Sequence, residues 1–242
     1  MNIIIPLWSI PRSISTAFER MMMERGDFKV IHEPFSYFFY AKEQSAAAVG
    51  MNVDPDHPQD FDAILDMIQS EAEKMPVFFK DMSYHPFARA DEAFMSRFVN
   101  TFIIRDPAIT LVSHYKLNPE FTLTEAGYEM QYKMYEMAVK LTGKTPAIVD
   151  AEDIIASPFS VVKGYCDIVG IPFIPEALAW GAEFKSEWKT WEMWHLDAAK
   201  STGFIKDMEP FDFTVHDVPR LTEMYEKCLP YYQLLYDKRI RP

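Results

Sequence analysis

The stretch MNIIIPLWSIPRSISTAFER (residues 1–20) places an apolar run directly before a short polar loop and a helix-forming segment. Residues 3–8 are almost continuously apolar, which is typical of a strand covered on both faces of a parallel sheet. A helix is predicted from Ser15 or Thr16 to about Arg25, ending at Gly26. Strand, polar loop and helix in this order form a common phosphate-binding arrangement, because the first turn of the helix presents free amides.

Strands and helices alternate along the rest of the chain. Further strands are predicted at residues 29–32, 77–80, 98–104 and 147–150, and helices at residues 60–68, 86–97, 107 onward, 124–141, 158–169, 184–195 and 217–236. Segment 40–59 lacks a pattern and is expected to be a mobile loop or short helix near the mouth of the site. The alternation predicts an α/β fold, with a three-layer, doubly wound, mostly parallel sheet and helices on both faces. Residues 1–242 are expected to form a single domain.

Four predicted strands end at or just before a residue that could contact a ligand: Trp8, His32, Lys80 and Arg105. In a parallel sheet the carboxyl ends of the strands lie along one edge, where ligands bind. The sequence therefore predicts one site assembled from four distant segments.

Composition limits the partners of the protein. A formal net charge of −12 argues against coating nucleic acid, which requires a broad basic surface. The two cysteines, Cys166 and Cys228, are expected to be reduced thiols in a cytoplasmic, soluble protein. No signal peptide and no apolar run of bilayer length is recognised, so no membrane interaction is expected. An anionic ligand must therefore be held by a few cations in a cleft.

The loop Pro11-Arg12-Ser13-Ile14-Ser15-Thr16 carries groups that recognise an anion. Arg12 offers bidentate hydrogen bonds, and the hydroxyls lie beside the amides of the expected helix. The loop lacks the glycines and the lysine of the ATP-binding G-x-x-x-x-G-K-[ST] motif. It therefore favours a different phosphorylated ligand, although an exposed arginine in a capped turn remains the simpler alternative.

A second segment, Thr101-Phe102-Ile103-Ile104-Arg105-Asp106-Pro107 with Ser113-His114-Tyr115 after it, supplies a further motif. Together the two segments resemble the sulfotransferase family, whose members use 3′-phosphoadenosine-5′-phosphosulfate (PAPS) as donor and have a P-loop-like fold. In that family a P-[RK]-S-x-[ST]-T loop holds the 5′-phosphosulfate, and a strand-end arginine with a later serine holds the 3′-phosphate. The order and spacing of the two motifs match in this chain.

The resemblance implies a set of donor-binding residues. Those for the 5′-phosphosulfate are Arg12, Ser13, Ile14, Ser15 and Thr16, and those for the 3′-phosphate are Arg105 and Ser113. Ser201, Thr202 and Gly203 lie where the family places a late loop over the nucleotide, between Lys200 and Lys206. The same site would hold the product, 3′-phosphoadenosine 5′-phosphate (PAP).

Sulfuryl transfer needs cations on the sulfuryl oxygens and a base for the acceptor proton, by analogy with phosphoryl transfer. Arg12 and Lys80 are the expected charge-stabilising pair. Glu33 in His32-Glu33-Pro34 is the first candidate base, with a pKa expected to be raised by burial and by the charge of the donor. His32 is the second candidate and His85 the third. No residues have metal-ligand spacing, so no metal is expected.

The acceptor is predicted only as a class. Aromatic residues could line an acceptor pocket or simply pack the core, and they are Phe35, Tyr37, Phe38, Phe39, Tyr40, Trp188, Trp191 and Trp194. A small apolar or aromatic alcohol or amine is favoured over a polyanion, because the protein is acidic. The sequence thus favours a PAPS-dependent sulfotransferase; a P-loop-type kinase of a small metabolite and a catalytically silent nucleotide-binding protein are the alternatives.

Overall fold

The computed structural model describes residues 2–42, 50–204 and 211–242, and all structural statements concern these residues. The strands are β1 (Ile4–Ser9), β2 (Lys29–His32), β3 (Val77–Met82), β4 (Thr101–Ile104) and β5 (Ala147–Asp150). They form one sheet in the order β2-β3-β1-β4-β5, and every pairing is parallel. The strand that precedes the polar loop therefore lies in the middle of the sheet.

Helices connect the strands. They are α1 (Ser15–Arg25), α2 (Ser36–Lys42), α3 (Phe61–Lys74), α4 (Glu92–Met95), α5 (Pro107–Leu117), α6 (Leu123–Ala126), α7 (Tyr128–Thr142), α8 (Ala151–Ala156), α9 (Pro158–Val169), α10 (Leu196–Lys200) and α11 (Pro219–Tyr236). Two 3-10 helices, Pro175–Leu178 and Ser186–Trp194, precede α10. None of the helices in the described ranges is long and apolar enough to cross a bilayer.

The two faces of the sheet carry separate hydrophobic clusters. Alternate strand residues enter each: Trp8 and Phe79 belong to one cluster, and Leu7 and Phe78 to the other. Helices α3, α7 and α11 pack on the first face, and α1 and α9 on the second. This alternation is what a sheet covered on both faces requires. The predicted three-layer, doubly wound α/β fold is confirmed.

Several predicted boundaries were wrong. The helix expected at 86–97 is reduced to α4, because turns occupy most of residues 83–89. The strand expected at 98–104 begins only at Thr101. The aromatic segment 184–195 is mostly a 3-10 helix, with a break in helical geometry at Trp191. Of segment 40–59, residues 43–49 lie outside the described residues, as does Lys206.

The long helix expected at 124–141 is broken at Gly127, which has a φ of 81° and separates α6 from α7. A Cβ at this position would lie 3.2 Å from Ile10 Cγ2 and 3.3 Å from Tyr84 Cδ1. Both the backbone conformation and the close packing therefore require glycine. The break allows the chain to pass close to the polar loop that follows β1.

We expect Gly127→Ala to lower the free energy of unfolding by more than the roughly 1–2 kcal/mol that a left-handed alanine costs, because neighbouring side chains must also move. Gly143→Ala is the matched control, since Gly143 has a φ of 66° and nothing within 4 Å of its Cβ position. Urea unfolding of the two variants measures the difference. Equal losses would show that the packing against Ile10 and Tyr84 is unimportant.

Cys166 and Cys228 are both free and buried. Burial raises the pKa of Cys228 to about 12, which makes this thiol a poor nucleophile. Neither cysteine lines the cavity described below.

Candidate active site

The loop between β1 and α1 adopts a strained backbone. Arg12 and Ile14 have φ values of 63° and 59°, and Glu33, just after β2, has a φ of 41°. These are the only non-glycine residues with positive φ in the described part of the chain, and Ile14 is β-branched, for which this conformation is especially unfavourable. Such residues cost about 1–3 kcal/mol each and cluster at functional sites.

The same loop leaves the N-terminus of α1 open. Ile14 occupies the N-cap position and no side chain caps the helix. The Ser13 hydroxyl, predicted to face a phosphate, instead donates to the Ile10 carbonyl at 2.7 Å and is fully buried. Ser13 therefore holds the loop in shape, while Ser15 and Thr16 remain beside the cavity.

The two predicted phosphate motifs meet directly. Arg105, just after β4, donates to the Arg12 carbonyl oxygen at 3.0 Å. Nε of Arg12 donates in turn to the hydroxyl of Ser113 on α5 at 2.8 Å. Arg105 also donates two hydrogen bonds, at 3.0 and 2.8 Å, to Oε1 of Glu152. Glu152 was not predicted, because nothing in the sequence relates it to Arg105.

The Arg12 guanidinium also reaches the end of the second 3-10 helix and the start of α10. It lies 3.4 Å from the Trp194 carbonyl oxygen and 3.4 Å from a carboxylate oxygen of Asp197. Burial, aided by the charge of Arg105, lowers the pKa of Arg12 although Asp197 opposes this shift. Asp197 is largely exposed, so it can move away and leave Arg12 to another anion.

Lys80, within β3, and Glu33, just after β2, form a buried ion pair. The ammonium of Lys80 contacts Oε1 of Glu33, and both side chains are almost completely excluded from solvent. Burial alone would raise the pKa of Glu33, but the charges of Lys80, His32 and His85 lower it overall. The pKa of Glu33 thus moves opposite to the expected direction, because no sequence pattern indicates that Lys80 contacts this carboxylate.

His85 is held by a second buried carboxylate. Nδ1 of His85 lies 2.6 Å from Oδ1 of Asp81, and Nε2 has no hydrogen-bond partner among the described residues. Burial raises the pKa of Asp81, although the charge of His85 opposes the shift. This Asp–His arrangement orients the imidazole in the manner of a general base.

His32, the second candidate base, is engaged at both ring nitrogens. Its Nδ1 lies 2.8 Å from Oε2 of Glu19, and its Nε2 lies 2.9 Å from Nε2 of His195. His195 contacts the hydroxyl of Thr16 at 3.3 Å through Nδ1. Neither Glu19 nor His195 was predicted, because neither belongs to a motif that relates it to His32.

A cavity of about 480 Å³ lies against these groups. The predicted residues that line it are Arg12, Ile14, Ser15, Thr16, Glu33, His85, Arg105, Ser201 and Gly203, whereas Ser13, His32, Lys80, Ser113 and Thr202 are not among the described lining residues. Tyr40, Trp191 and Trp194 also line the cavity, but Trp188 and Phe35 are buried in the interior. The aromatic residues are therefore divided between cavity and core.

His114 also lines the cavity, although the sequence predicts no role for it beyond its place in the second motif. Its ring stacks on that of Phe121 at 4.0 Å between centroids. Burial, with the charge of Arg12, lowers the pKa of His114 to about 3, so its imidazole is neutral at physiological pH. It contributes a polar but uncharged surface beside the arginine.

One group in the described ranges has side chains close enough for a metal ion: His32, Glu33 and His195, whose ligand atoms lie within 4.8 Å of one another. The Lys80 ammonium already contacts the Glu33 oxygen of this group and would repel a divalent cation. We therefore assign these side chains to hydrogen bonding with each other and with their neighbours.

Three solved structures similar to this chain are sulfotransferases or sulfotransferase domains. The sulfotransferase domain from the Synechococcus PCC 7002 olefin synthase aligns with a TM-score of 0.55 at 15% identity, over 94% of both chains. The sulfotransferase domain from the curacin biosynthetic pathway gives 0.50 at 14%, over 100% of this chain and 99% of that domain. Mouse sulfotransferase SULT7A1, crystallised with PAP, gives 0.51 at 11%, over 96% and 84%. At these identities the likeness concerns the fold.

Two curated relatives are named after a different activity, that of an aminotransferase. Branched-chain-amino-acid aminotransferase-like proteins 2 and 1 from Arabidopsis thaliana are each 27% identical to this chain over 96% of its length. The chain spans only 41% of the length of either relative. Their names thus describe proteins more than twice as long as the region that is similar.

The family comparison covers nearly the whole chain. The sequence model described as "Sulfotransferase domain" matches residues 1–239, which include both arginine motifs and the segment with His195. The fold of the solved relatives and the meeting of Arg12, Arg105 and Ser113 agree with this match. The chain therefore belongs to the sulfotransferase domain family.

Proposed function

We propose that this chain transfers a sulfuryl group from PAPS to a hydroxyl or amine of a small acceptor, as one cytoplasmic domain. The observation that carries the proposal is the link between the two arginine motifs, in which Arg105 donates to the Arg12 carbonyl and Arg12 donates to Ser113. This link brings two arginines close to the open end of α1, where each would bind a separate phosphate of the donor. ATP has no phosphate at its 3′ position, whereas PAPS has one.

The donor would lie along the edge of the sheet. Its 5′-phosphosulfate would accept hydrogen bonds from the amides of α1, from Thr16 and from Arg12, with the helix dipole favouring negative charge. Its 3′-phosphate would bind Arg105 and Ser113. Ser201 and Gly203 line the same cavity and would cover the nucleotide.

In the transfer step Lys80 would stabilise the sulfuryl oxygens and Glu33 would accept the proton of the acceptor. The negative sulfuryl oxygens would attract the Lys80 ammonium away from Glu33. Loss of that neighbouring cation raises the pKa of Glu33 and makes the carboxylate a better base. The acceptor oxygen would then attack sulfur as its proton passes to Glu33, while the bond from sulfur to the phosphate oxygen breaks and its electron pair leaves with PAP.

The acceptor would enter past Tyr40, Trp191 and Trp194, which line the cavity. Aromatic walls favour a planar or apolar molecule, and the carboxylates of Glu33 and Glu125 in the same lining disfavour an anionic one. The nucleotide and the acceptor would share this cavity of about 480 Å³. We therefore propose a small uncharged or cationic acceptor.

Thermal unfolding tests this function. PAP should raise the midpoint of unfolding in a concentration-dependent way, because a ligand that binds only the folded protein stabilises it. ATP with magnesium and adenosine 5′-phosphate are the comparison ligands and should produce a smaller shift. A shift with ATP alone would indicate a kinase, and no shift with any of the three would indicate a member of the fold that does not bind these nucleotides.

A further inference from the structure

A buried chain of hydrogen bonds leads from the interior to the phosphate-binding loop. The indole Nε1–H of Trp188 and Nδ1 of His32 both contact Oε2 of Glu19, at 3.0 and 2.8 Å. Nε2 of His32 lies 2.9 Å from Nε2 of His195, and Nδ1 of His195 lies 3.3 Å from the Thr16 hydroxyl. Thr16 belongs to the first turn of α1, so the chain ends where the donor phosphate is expected.

The positions of the hydrogens follow from what each group can donate. An indole nitrogen only donates and a carboxylate only accepts, so Glu19 accepts from Trp188 and from Nδ1 of His32. If His32 is neutral, its Nε2 carries no hydrogen, so the hydrogen between the two imidazoles is bonded to Nε2 of His195. Nδ1 of His195 then carries no hydrogen either, and it accepts a hydrogen bond from the Thr16 hydroxyl.

A bound phosphate competes for that hydrogen, a step that rests on the proposed function. Phosphate oxygens are acceptors, so Thr16 would turn its single hydroxyl hydrogen toward the donor. The Thr16 oxygen would then face His195 as an acceptor, and His195 must carry its hydrogen on Nδ1. The hydrogen between the imidazoles must then come from His32, which already carries one on Nδ1.

We propose that donor binding at Thr16 is coupled to the uptake of one proton by the His32–His195 pair. The proton comes from solvent, and His32 becomes an imidazolium between Glu19 and His195. No covalent bond other than N–H changes. His195 is thus a positioning residue that connects the donor phosphate to the interior of the protein.

The surroundings favour His32 as the residue that holds the proton. The charged groups facing the pair are Glu19 from α1, Glu33 after β2, Lys80 from β3 and Arg12 from the loop. Both carboxylates lie closer to His32 than to His195. Oε2 of Glu19 is 2.8 Å from Nδ1 of His32, and Oε1 of Glu33 is 3.8 Å from its Nε2. Burial, together with the charges of His32 and the two cations, lowers the pKa of His195 well below its usual value.

Isothermal titration calorimetry with PAP tests the coupling. Titrations near pH 7.5 in buffers of different ionisation enthalpy give the number of protons taken up on binding. The phosphates of PAP, with a second pKa of about 6, add little to this number because they are already deprotonated at that pH. Wild-type protein should take up about one proton more than Thr16→Val, which lacks the hydroxyl. Thr16→Ser keeps the hydroxyl and should match wild type. PAP should also bind wild type more tightly as the pH falls.

The outcomes separate the coupling from the function. PAP binding with equal proton counts in wild type and Thr16→Val overturns the coupling and leaves the proposed function intact. If Thr16→Val does not fold or bind PAP, His195→Phe gives a second comparison, because it removes the imidazole pair and keeps the hydroxyl. Unchanged uptake in His195→Phe also overturns the coupling. Absence of PAP binding to wild type overturns both proposals.

Discussion

Glu33→Gln should strongly lower turnover while leaving PAP binding largely intact. The glutamine side chain keeps the size of the glutamate and an oxygen to accept from Lys80, but it cannot take up the acceptor proton. Loss of a general base lowers the rate about 10²- to 10⁴-fold. Release of PAP from PAPS, with the small alcohol or phenol that wild type uses best in a panel, measures turnover.

Two controls separate lost chemistry from lost folding. Replacing Glu33 leaves the buried Lys80 ammonium without an anionic partner, and disrupting a buried ion pair in this way costs up to about 3–5 kcal/mol. The thermal midpoint and its shift with PAP must therefore be recorded for the variant. Glu223→Gln is the matched control, because Glu223 pairs with Lys227 on the exposed face of α11 and should leave turnover unchanged.

Near-normal turnover of a folded Glu33→Gln protein would assign the base to a histidine. His32 is the less suitable, because both of its ring nitrogens already have hydrogen-bond partners. His85 has Nδ1 held by Asp81 and Nε2 without a partner among the described residues. His85→Gln would then lose the activity that Glu33→Gln retained.

The fold was predictable because local patterns determine most of it. The strand over residues 29–32, the end of α1 at Gly26 and Pro107 at the start of α5 all lie where the sequence placed them. The errors occurred where tertiary contacts override local preference. Gly127 ends a helix because the backbone must pass close to Ile10 and Tyr84, a contact that no local pattern reveals.

The positions of Arg12 and Arg105 beside the cavity were predictable, but the side chains that contact them were not. Arg12 and Arg105 were found because each follows a strand in a recognisable motif. Glu19, Glu152 and His195 lack such a motif, and their roles depend on contacts between residues distant in sequence, such as the 2.9 Å approach of His195 to His32. The direction of the Glu33 pKa was missed for the same reason, because it depends on Lys80.

Arg105→Ala should weaken PAP binding by about 10- to 100-fold, since hydrogen bonds to a charged group contribute about 1.5–3 kcal/mol. The comparison with adenosine 5′-phosphate makes the test specific, because that nucleotide lacks the 3′-phosphate. Its affinity should change little in the variant. Arg105→Lys keeps the charge without the bidentate geometry and should lie between wild type and the alanine variant.

Arg105 could affect binding in another way, and the same measurements distinguish it. The side chain donates to the Arg12 carbonyl and thereby supports the strained loop that would hold the 5′-phosphosulfate. If that support were its main role, PAP and adenosine 5′-phosphate would lose affinity by the same factor. A loss confined to PAP places the 3′-phosphate on Arg105, and an equal loss for both ligands removes the main argument for a donor phosphorylated at both positions.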